Sequence, residues 1–513
     1  MAIVLVGLAI PLLYLVVRAL SADPERTIDL VLSSRNLELL SNTLLLAFGV
    51  LAGSSILALP LAWLTTRTDL PQQSIVTTIG VLPLAVPGYV LAYVILGTTG
   101  SYGSLARYAG IDLPTLDGYW GALTALSIYL SPYMFLNVRS ALLSTDDSLE
   151  EAARSLGQSR LQVLLRVTLP QLRPAFAAGA VLVVLHVMGD FGVVSLMRFE
   201  TFSLAIYLQF VAAFDRTYAA ILALALLAIS SVFLIVEARA LRNTTLHRAG
   251  GGPPRSTSIL HLGRWKPVAL LYCGAFATVT VVFPVASIVA WAAGSGAGML
   301  TDLTRPLINA VEASGLAAAA AALLAVPVAW LRVRRPSLLT RSVERAAYLG
   351  YALPPLALAL AYIFFALGAF PAIYQTLALL VFAYTLHFLA EAIGPVRAAL
   401  YHVSPNVEEA ARSLGHSPLR AFTSTTLPLL RNGIVVSLTF VFLSALKELP
   451  LTIILSPPGF ETLSTNVWSF ANEAMFARAA PYALAIVTVS AVFVGILLRR
   501  DVPTPQPRYI AHE

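Results

Sequence analysis

Residues 150–174 read EEAARSLGQSRLQVLLRVTLPQLRP, and residues 408–432 read EEAARSLGHSPLRAFTSTTLPLLRN. The first eight residues are identical. Leu169-Pro170 and Leu427-Pro428 stand at the same distance beyond Gly157 and Gly415, so the offset between copies is 258 throughout. A matched polar segment recurring at that distance in an apolar chain marks an internal duplication, and both copies are expected to meet the same kind of partner.

Each copy reads as helix, glycine turn, helix. Asp146 and Ser404 are candidate N-caps, and Pro405 suits the first helical position of the second copy. Glu150, Glu151, Glu408 and Glu409 fall in the first turns, where the helix dipole favours negative charge. Ala152, Ala153 and Leu156 give a small apolar face, repeated by Ala410, Ala411 and Leu414. Gly157 and Gly415 fit the left-handed position past a helix end. The second helix is expected to stop at Pro170 or Pro428. The first is too short to be stable alone in water and needs a docking surface.

Around these segments the chain is apolar. Of 513 residues 58% are hydrophobic and only 12% charged, unlike a soluble domain. Many apolar runs approach or exceed the roughly 20 residues of a spanning helix. We place spans over 2–18, 41–64, 75–97, 118–138, 175–197 and 217–237, then over 267–292, 309–331, 345–369, 374–396, 433–455 and 480–498. The run from Ala2 has no basic leader or small-residue cleavage site and reads as a retained span. Twelve spans put both termini on one side. That side holds 24 of the 33 basic residues, which makes it the cytoplasmic one and places both matched loops there. The net charge of +7 therefore has a topological reading and implies no nucleic-acid partner. The single cysteine, Cys273, excludes an intrachain disulfide.

The chain divides into a first half, 1–241 with its loop at 146–174, a cytoplasmic linker, 242–266, and a second half, 267–513 with its loop at 404–432. The linker carries Gly-Gly-Gly-Pro-Pro and several basic residues. Asn42-Thr43 with Pro60-Leu-Ala-Trp63 is echoed by Asn309-Ala310 with Pro327-Val-Ala-Trp330 at an offset of 267, as is Pro87 by Pro354. Each half has an even number of spans, so the repeats insert parallel, about an axis along the membrane normal.

No phosphate-binding G-x-x-x-x-G-K-[ST] loop, C-x-x-C pair or H-E-x-x-H is present, and the chain is not expected to hydrolyse ATP or to be an enzyme. His186 and His387, inside spans, read as hydrogen-bonded packing residues. Intramembrane charges say more. Asp190 and Glu448 are 258 apart, in equivalent positions of the two fifth spans, and Lys447 matches Gly189. Charges at that depth are costly and usually functional. Glycines flank Asp190 and Pro450 follows Glu448, so both spans are interrupted there, a pointer to a transport site or gate. If the fifth spans meet at the pseudo-twofold axis, Lys447 could reach Asp190 across it. Glu448 would be left as the unbalanced charge on the path, a negative lining that favours a cation.

The pattern E-A-A-x-x-x-G followed by L-P resembles the cytoplasmic EAA loop of ABC importer permeases. D-F-G at 190–192 and K-E-L-P at 447–450 resemble ferric iron permeases that fuse two halves in one chain. The resemblance implies an all-α membrane protein of about 12 transmembrane helices, two parallel six-helix repeats of the type I ABC importer permease fold. It implies coupling through Glu151, Ala152, Ala153, Gly157 and Pro170 and through Glu409, Ala410, Ala411, Gly415 and Pro428. The implied partners are two copies of a cytoplasmic ATPase, which would carry ATP and Mg, and a periplasmic solute-binding protein. The implied setting is the lipid bilayer of a bacterial inner membrane, with both termini cytoplasmic. No cofactor is expected on this chain, and no metal ligand set is assigned. Ferric iron is the foremost cargo, with thiamine, phosphonate or polyamine as alternatives and an ion-coupled twelve-span secondary transporter as a distant one.

Overall fold

The computed structural model describes residues 1–21, 33–145, 147–212, 215–241, 259–294 and 299–501. Asp146 and most of the linker lie outside these residues. Among these residues eight single helices are long and apolar enough to cross a membrane, and four pairs bent at a short break bring the number to twelve when each pair is taken as one span. The first half contributes Ala2–Leu20, Ser34–Arg67, Gln73–Ala85 with Gly88–Thr98, Gly118–Leu143, Leu161–Gly189 and Arg216–Val236. The second contributes Gly263–Gly294, Asp302–Arg334, Leu338–Ala352 with Pro355–Ala369, Leu377–His387 with Leu389–Tyr401, Pro418–Leu429 with Arg431–Lys447, and Phe476–Gly495. Every expected span has its counterpart.

Both third spans break beside a proline, Pro87 and Pro354, bending by 87° and 110°. The cause is local: proline cannot donate to the preceding turn and restricts the residue before it. The two sequence offsets, 267 and 258, differ because the first half carries nine extra residues between its third and fourth spans.

The halves exchange their first spans. Ala2–Leu20 packs on Pro355–Ala369 of the second half, and Phe283–Gly294 packs on Gly88–Thr98 of the first. At the latter crossing the Tyr93 hydroxyl donates to Phe476 O (2.7 Å), and the Tyr93 ring lies edge-on to Trp291 at 5.1 Å. Separating the halves would expose the second segments of both third spans, Gly88–Thr98 and Pro355–Ala369, which are mostly buried.

The fifth spans begin earlier and end sooner than expected, at Leu161–Gly189 rather than 175–197, and in the second half at Lys447 rather than 455. Pro170 does not stop its helix. A π-turn at Leu164–Thr168 lets the Leu169 N–H bond to Leu164 O, five residues back. The wide turn resets the register so that Pro170 opens a new helical run, where its missing N–H costs nothing. The second half has the same π-turn at Phe422–Thr426. There the helix does end at Leu429, one residue past Pro428, and resumes at Arg431 after a 71° bend.

The described end of the linker is tied to the membrane edge beside the first EAA loop. The Leu260 N–H donates to Arg67 O (2.8 Å) and the Leu262 N–H to Asp69 Oδ1 (2.8 Å). That backbone donor, with His261 and Lys266 nearby, holds the Asp69 carboxyl below the usual range.

Candidate functional site

Two regions hold the candidate functional residues. The first is the pair of EAA loops. Gly157 and Gly415 take φ of +81° and +88°. Nothing lies within 4 Å of where a Cβ would stand, so only the backbone conformation requires glycine there. The N–H of Gln158 and His416 reach back to Ala153 O and Ala411 O, which closes each helix end. Ser404 caps the second copy through the Asn406 N–H (3.3 Å), with Pro405 behind it.

The helices Asp147–Ser155 and Pro405–Ser413 present two faces rather than one. Ala153 and Ala411 are buried against their own chain, so they seat the helix. Glu151, Ala152, Glu409 and Ala410 are exposed, and Leu156 and Leu414 are each 82% exposed. An apolar side chain so exposed at two matched positions, beside exposed carboxylates, is uncommon on a surface that meets only water.

What holds each helix down is the preceding glutamate. Glu150 is buried and accepts from Thr168 Oγ1 (2.8 Å), with Arg67 Nη2 at 3.6 Å and Arg154 Nη2 at 3.8 Å. Glu408 accepts from Thr426 Oγ1 (2.5 Å) and Trp330 Nε1 (3.0 Å). Arg67 also donates to Thr145, and Arg334 donates to Val403 O (2.6 Å). All these positions correspond between halves, yet the first anchor is ionic and the second is an indole. Thr168, Thr426, Arg67 and Arg334 escaped the sequence reading. The signal was there, since Glu and Thr stand 18 residues apart in both copies.

The second region is a cavity of about 170 Å³ between the halves, at the breaks of the third and fifth spans. Asp190, Lys447 and Glu448, singled out in the sequence, all line it together with His186 and His387. Both imidazoles bond backbone carbonyls, Leu182 O (2.8 Å) and Gly350 O (3.0 Å), as packing residues do.

The expected Lys447–Asp190 pair is not formed. Lys447 Nζ instead donates to Leu84 O (3.0 Å), the carbonyl end of the broken third span of the other half. A cation suits a helix C-terminus. Asp190 is turned away by a competing demand. Its Oδ1 accepts the N–H of Val193 (2.8 Å) and its carbonyl accepts Ser203 Oγ (2.5 Å). Glu448 behaves alike, accepting from the Leu451 N–H (3.1 Å) and, at its carbonyl, Ser464 Oγ (2.9 Å). The matched carboxylates therefore cap the short helices Gly192–Leu196 and Pro450–Leu455. Glu448 is not the unbalanced charge on its own either: Glu391, which the sequence reading passed over, completes a wall of three carboxylates against one ammonium. Four tyrosines, Tyr89, Tyr129, Tyr133 and Tyr351, add hydroxyls. Beyond the cavity the halves meet closely. A Cβ on Gly192 would stand 2.9 Å from Tyr89 Cβ and 3.0 Å from Leu449 Cδ2, and Trp468 Nε1 donates to Ser195 Oγ (2.8 Å).

The backbone pseudo-symmetry hides unlike chemistry. At positions equivalent by the 258-residue offset, Tyr129 is matched by His387, Tyr133 by Glu391, His186 by Ser444 and Gly189 by Lys447, all of them lining the cavity. Among the described residues no group of three or more His, Cys, Asp or Glu could hold a metal ion.

Twelve spans in two parallel repeats, paired EAA loops and a polar cavity on the axis between them define a membrane permease with two fused halves. The chain belongs to the family described as binding-protein-dependent transport system inner membrane component, whose pattern matches residues 46–243 and again 317–500. It is thus a multi-pass inner-membrane protein, the permease subunit of an ABC importer rather than an enzyme. It is 30% identical over 504 residues, 96% of each chain, to the Fe(3+)-transport system permease protein FbpB 2 of Haemophilus influenzae. It is 23% identical to the ferric transport system permease protein FbpB of Actinobacillus pleuropneumoniae, covering 91% of this chain and 71% of that one. The sulfate transport system permease protein CysW of Escherichia coli is 28% identical over 44% of this chain and 80% of its own.

Proposed function

We propose that this chain forms the translocation path for ferric iron, in an importer powered by two copies of a cytoplasmic ATPase and fed by a periplasmic binding protein. ATP and Mg would sit on the ATPase. The observation that carries the cargo assignment is the cavity wall, with Asp190, Glu391 and Glu448 against Lys447 alone. A negative lining in a narrow, partly desolvated space favours a cation and opposes sulfate, molybdate or a phosphonate. The near-full-length likeness to permeases named for ferric transport supports the same reading. The ATPase subunits would seat on Leu156 and Leu414, with Glu151, Ala152, Glu409 and Ala410 around them.

Proteoliposomes containing the chain, its ATPase and the iron-loaded binding protein should accumulate ferric iron only when ATP is supplied on the EAA side. Accumulation of thiamine or a polyamine instead, with no iron uptake, would overturn the cargo assignment while leaving the importer class intact.

The orientation we propose puts both EAA loops and both termini in the cytoplasm, on the strength of the basic-residue bias. Ser159 and Ser417 are exposed. In a Cys273→Ser background, Ser159→Cys and Ser417→Cys should react with an impermeant thiol reagent only in inverted vesicles. Labelling in intact spheroplasts would refute the orientation.

A further inference from the structure

A groove of about 980 Å³ runs along the second half, between Asp302–Arg334, the second EAA loop and the fifth span. Its deep end is apolar, lined by Ala319, Leu323, Val326 and Leu438. Its other end carries Arg334, Arg335 and Arg412, with Trp330 at the boundary. Leu323 and Arg334 are eleven residues apart on one helix, roughly 16 Å. That is about half of the ~30 Å hydrocarbon core, the depth of one leaflet. Leu323 is 75% exposed and points into what would be lipid.

The charges at the mouth are not neutralised by ion pairs. Among the described residues Arg335 and Arg412 make no ion pair, and Arg334 Nε is buried without a hydrogen-bond partner, while its Nη2 serves Val403 O. Glu408 is occupied by Trp330 and Thr426, which leaves Glu409 as the one free carboxylate at the mouth. The corresponding place in the first half differs. Thr68 stands where Arg335 does, Arg154 is paired with Glu150, and Arg67 lies over the same carboxylate.

We propose that this groove binds an anionic phospholipid from the EAA-side leaflet. An acyl chain lies along Leu323 and Val326, and the phosphate sits at Arg334, Arg335 and Arg412. Basic clusters where helices leave the membrane recognise such head groups through charge and phosphate geometry. An apolar slot that continues from the cluster into the hydrocarbon distinguishes a lipid from free phosphate. The site rests on the membrane placement of the fold and not on the identity of the cargo. Because Glu408 and Arg412 belong to the second EAA loop, a lipid here would brace that loop alone.

The test is Trp330 fluorescence of the full chain in nanodiscs, isolated as the difference from Trp330→Phe. Brominated phosphatidylglycerol should quench it at roughly a fivefold lower mole fraction than brominated phosphatidylcholine. The preference should vanish in Arg335→Glu/Arg412→Glu, and quenching by both lipids should fall in the groove-filling Ala319→Trp/Trp330→Phe control read against Ala319→Trp. Mass spectrometry of lipids kept through delipidation should show phosphatidylglycerol or cardiolipin on the wild type, depleted about tenfold in the double charge reversal. Equal quenching by the two lipids, or undiminished anionic lipid on the charge-reversed protein, would overturn the proposal.

Discussion

Arg67→Met is expected to loosen the first EAA loop far more than Arg334→Met loosens the second. Arg67 and Glu150 are both nearly inaccessible, and removing the guanidinium leaves a buried carboxylate with Thr168 and a half-exposed Arg154. Breaking one side of a buried pair costs roughly 3–5 kcal/mol. We take about 3 kcal/mol, since Thr168 and Arg154 still solvate the charge, and this is about a hundredfold on the equilibrium between seated and detached loop. Glu408 in the second loop keeps Trp330 and Thr426 whatever Arg334 does. Amide exchange across 148–156 should therefore quicken about a hundredfold in Arg67→Met. Exchange across 406–414 should change little in Arg334→Met. Adding Glu150→Gln to Arg67→Met should restore most of the protection, because a neutral amide no longer needs the cation. Equal responses in the two loops, or no rescue by Glu150→Gln, would mean that the burial of Glu150 is not what seats the helix.

The second large effect concerns the cavity. Asp190→Asn and Glu448→Gln retain an acceptor for the Val193 and Leu451 N–H groups, so they remove charge while sparing the helix caps. Combined with Glu391→Gln they leave Lys447 as the only charged group among the lining carboxylate and ammonium positions. Focused fields in such clefts change the local concentration and entry rate of an ion by ten- to a thousandfold. ATP-driven cation uptake by the triple variant should fall at least tenfold, with ATP hydrolysis in the absence of cargo unchanged. If uptake persists at the wild-type rate, the three carboxylates serve only to cap and pack.

How much of this was readable beforehand follows from where the information sits. The duplication and the twelve spans are written in local pattern. The halves' exchange of first spans is not, because hydropathy carries no record of which apolar helix faces which. Pro87 and Pro354 served as a repeat match, while the breaks beside them went unread, because a proline inside an apolar run can kink a helix or merely sit in it. The EAA glycines were legible because a positive φ has a residue preference. That Ala153 and Ala411 form the seated side of their helices could not be read, because alanine suits a seated face and a presented face equally well. Asp190 and Glu448 stood out by charge and offset. The Lys447–Asp190 pairing failed because nearer backbone groups, Leu84 O and the Val193 N–H, offered partners that no side-chain pattern reveals. Glu391 was missed because its counterpart is Tyr133, so the repeat that exposed the other two carboxylates concealed this one.

The unequal fifth spans have a mechanical consequence. From Leu161 to Gly189 the first continues through its π-turn without a sharp bend for 29 residues, about 43 Å at the α-helical rise. It starts in one EAA loop and ends against Asp190. A push on that loop along this span is delivered to the cavity wall with its direction kept. The second loop pushes through an elbow at Leu430, which turns the thrust by 71° and converts part of it into rotation of Arg431–Lys447. Identical strokes at the two loops thus arrive at the axis as a thrust on one wall and a swing on the other.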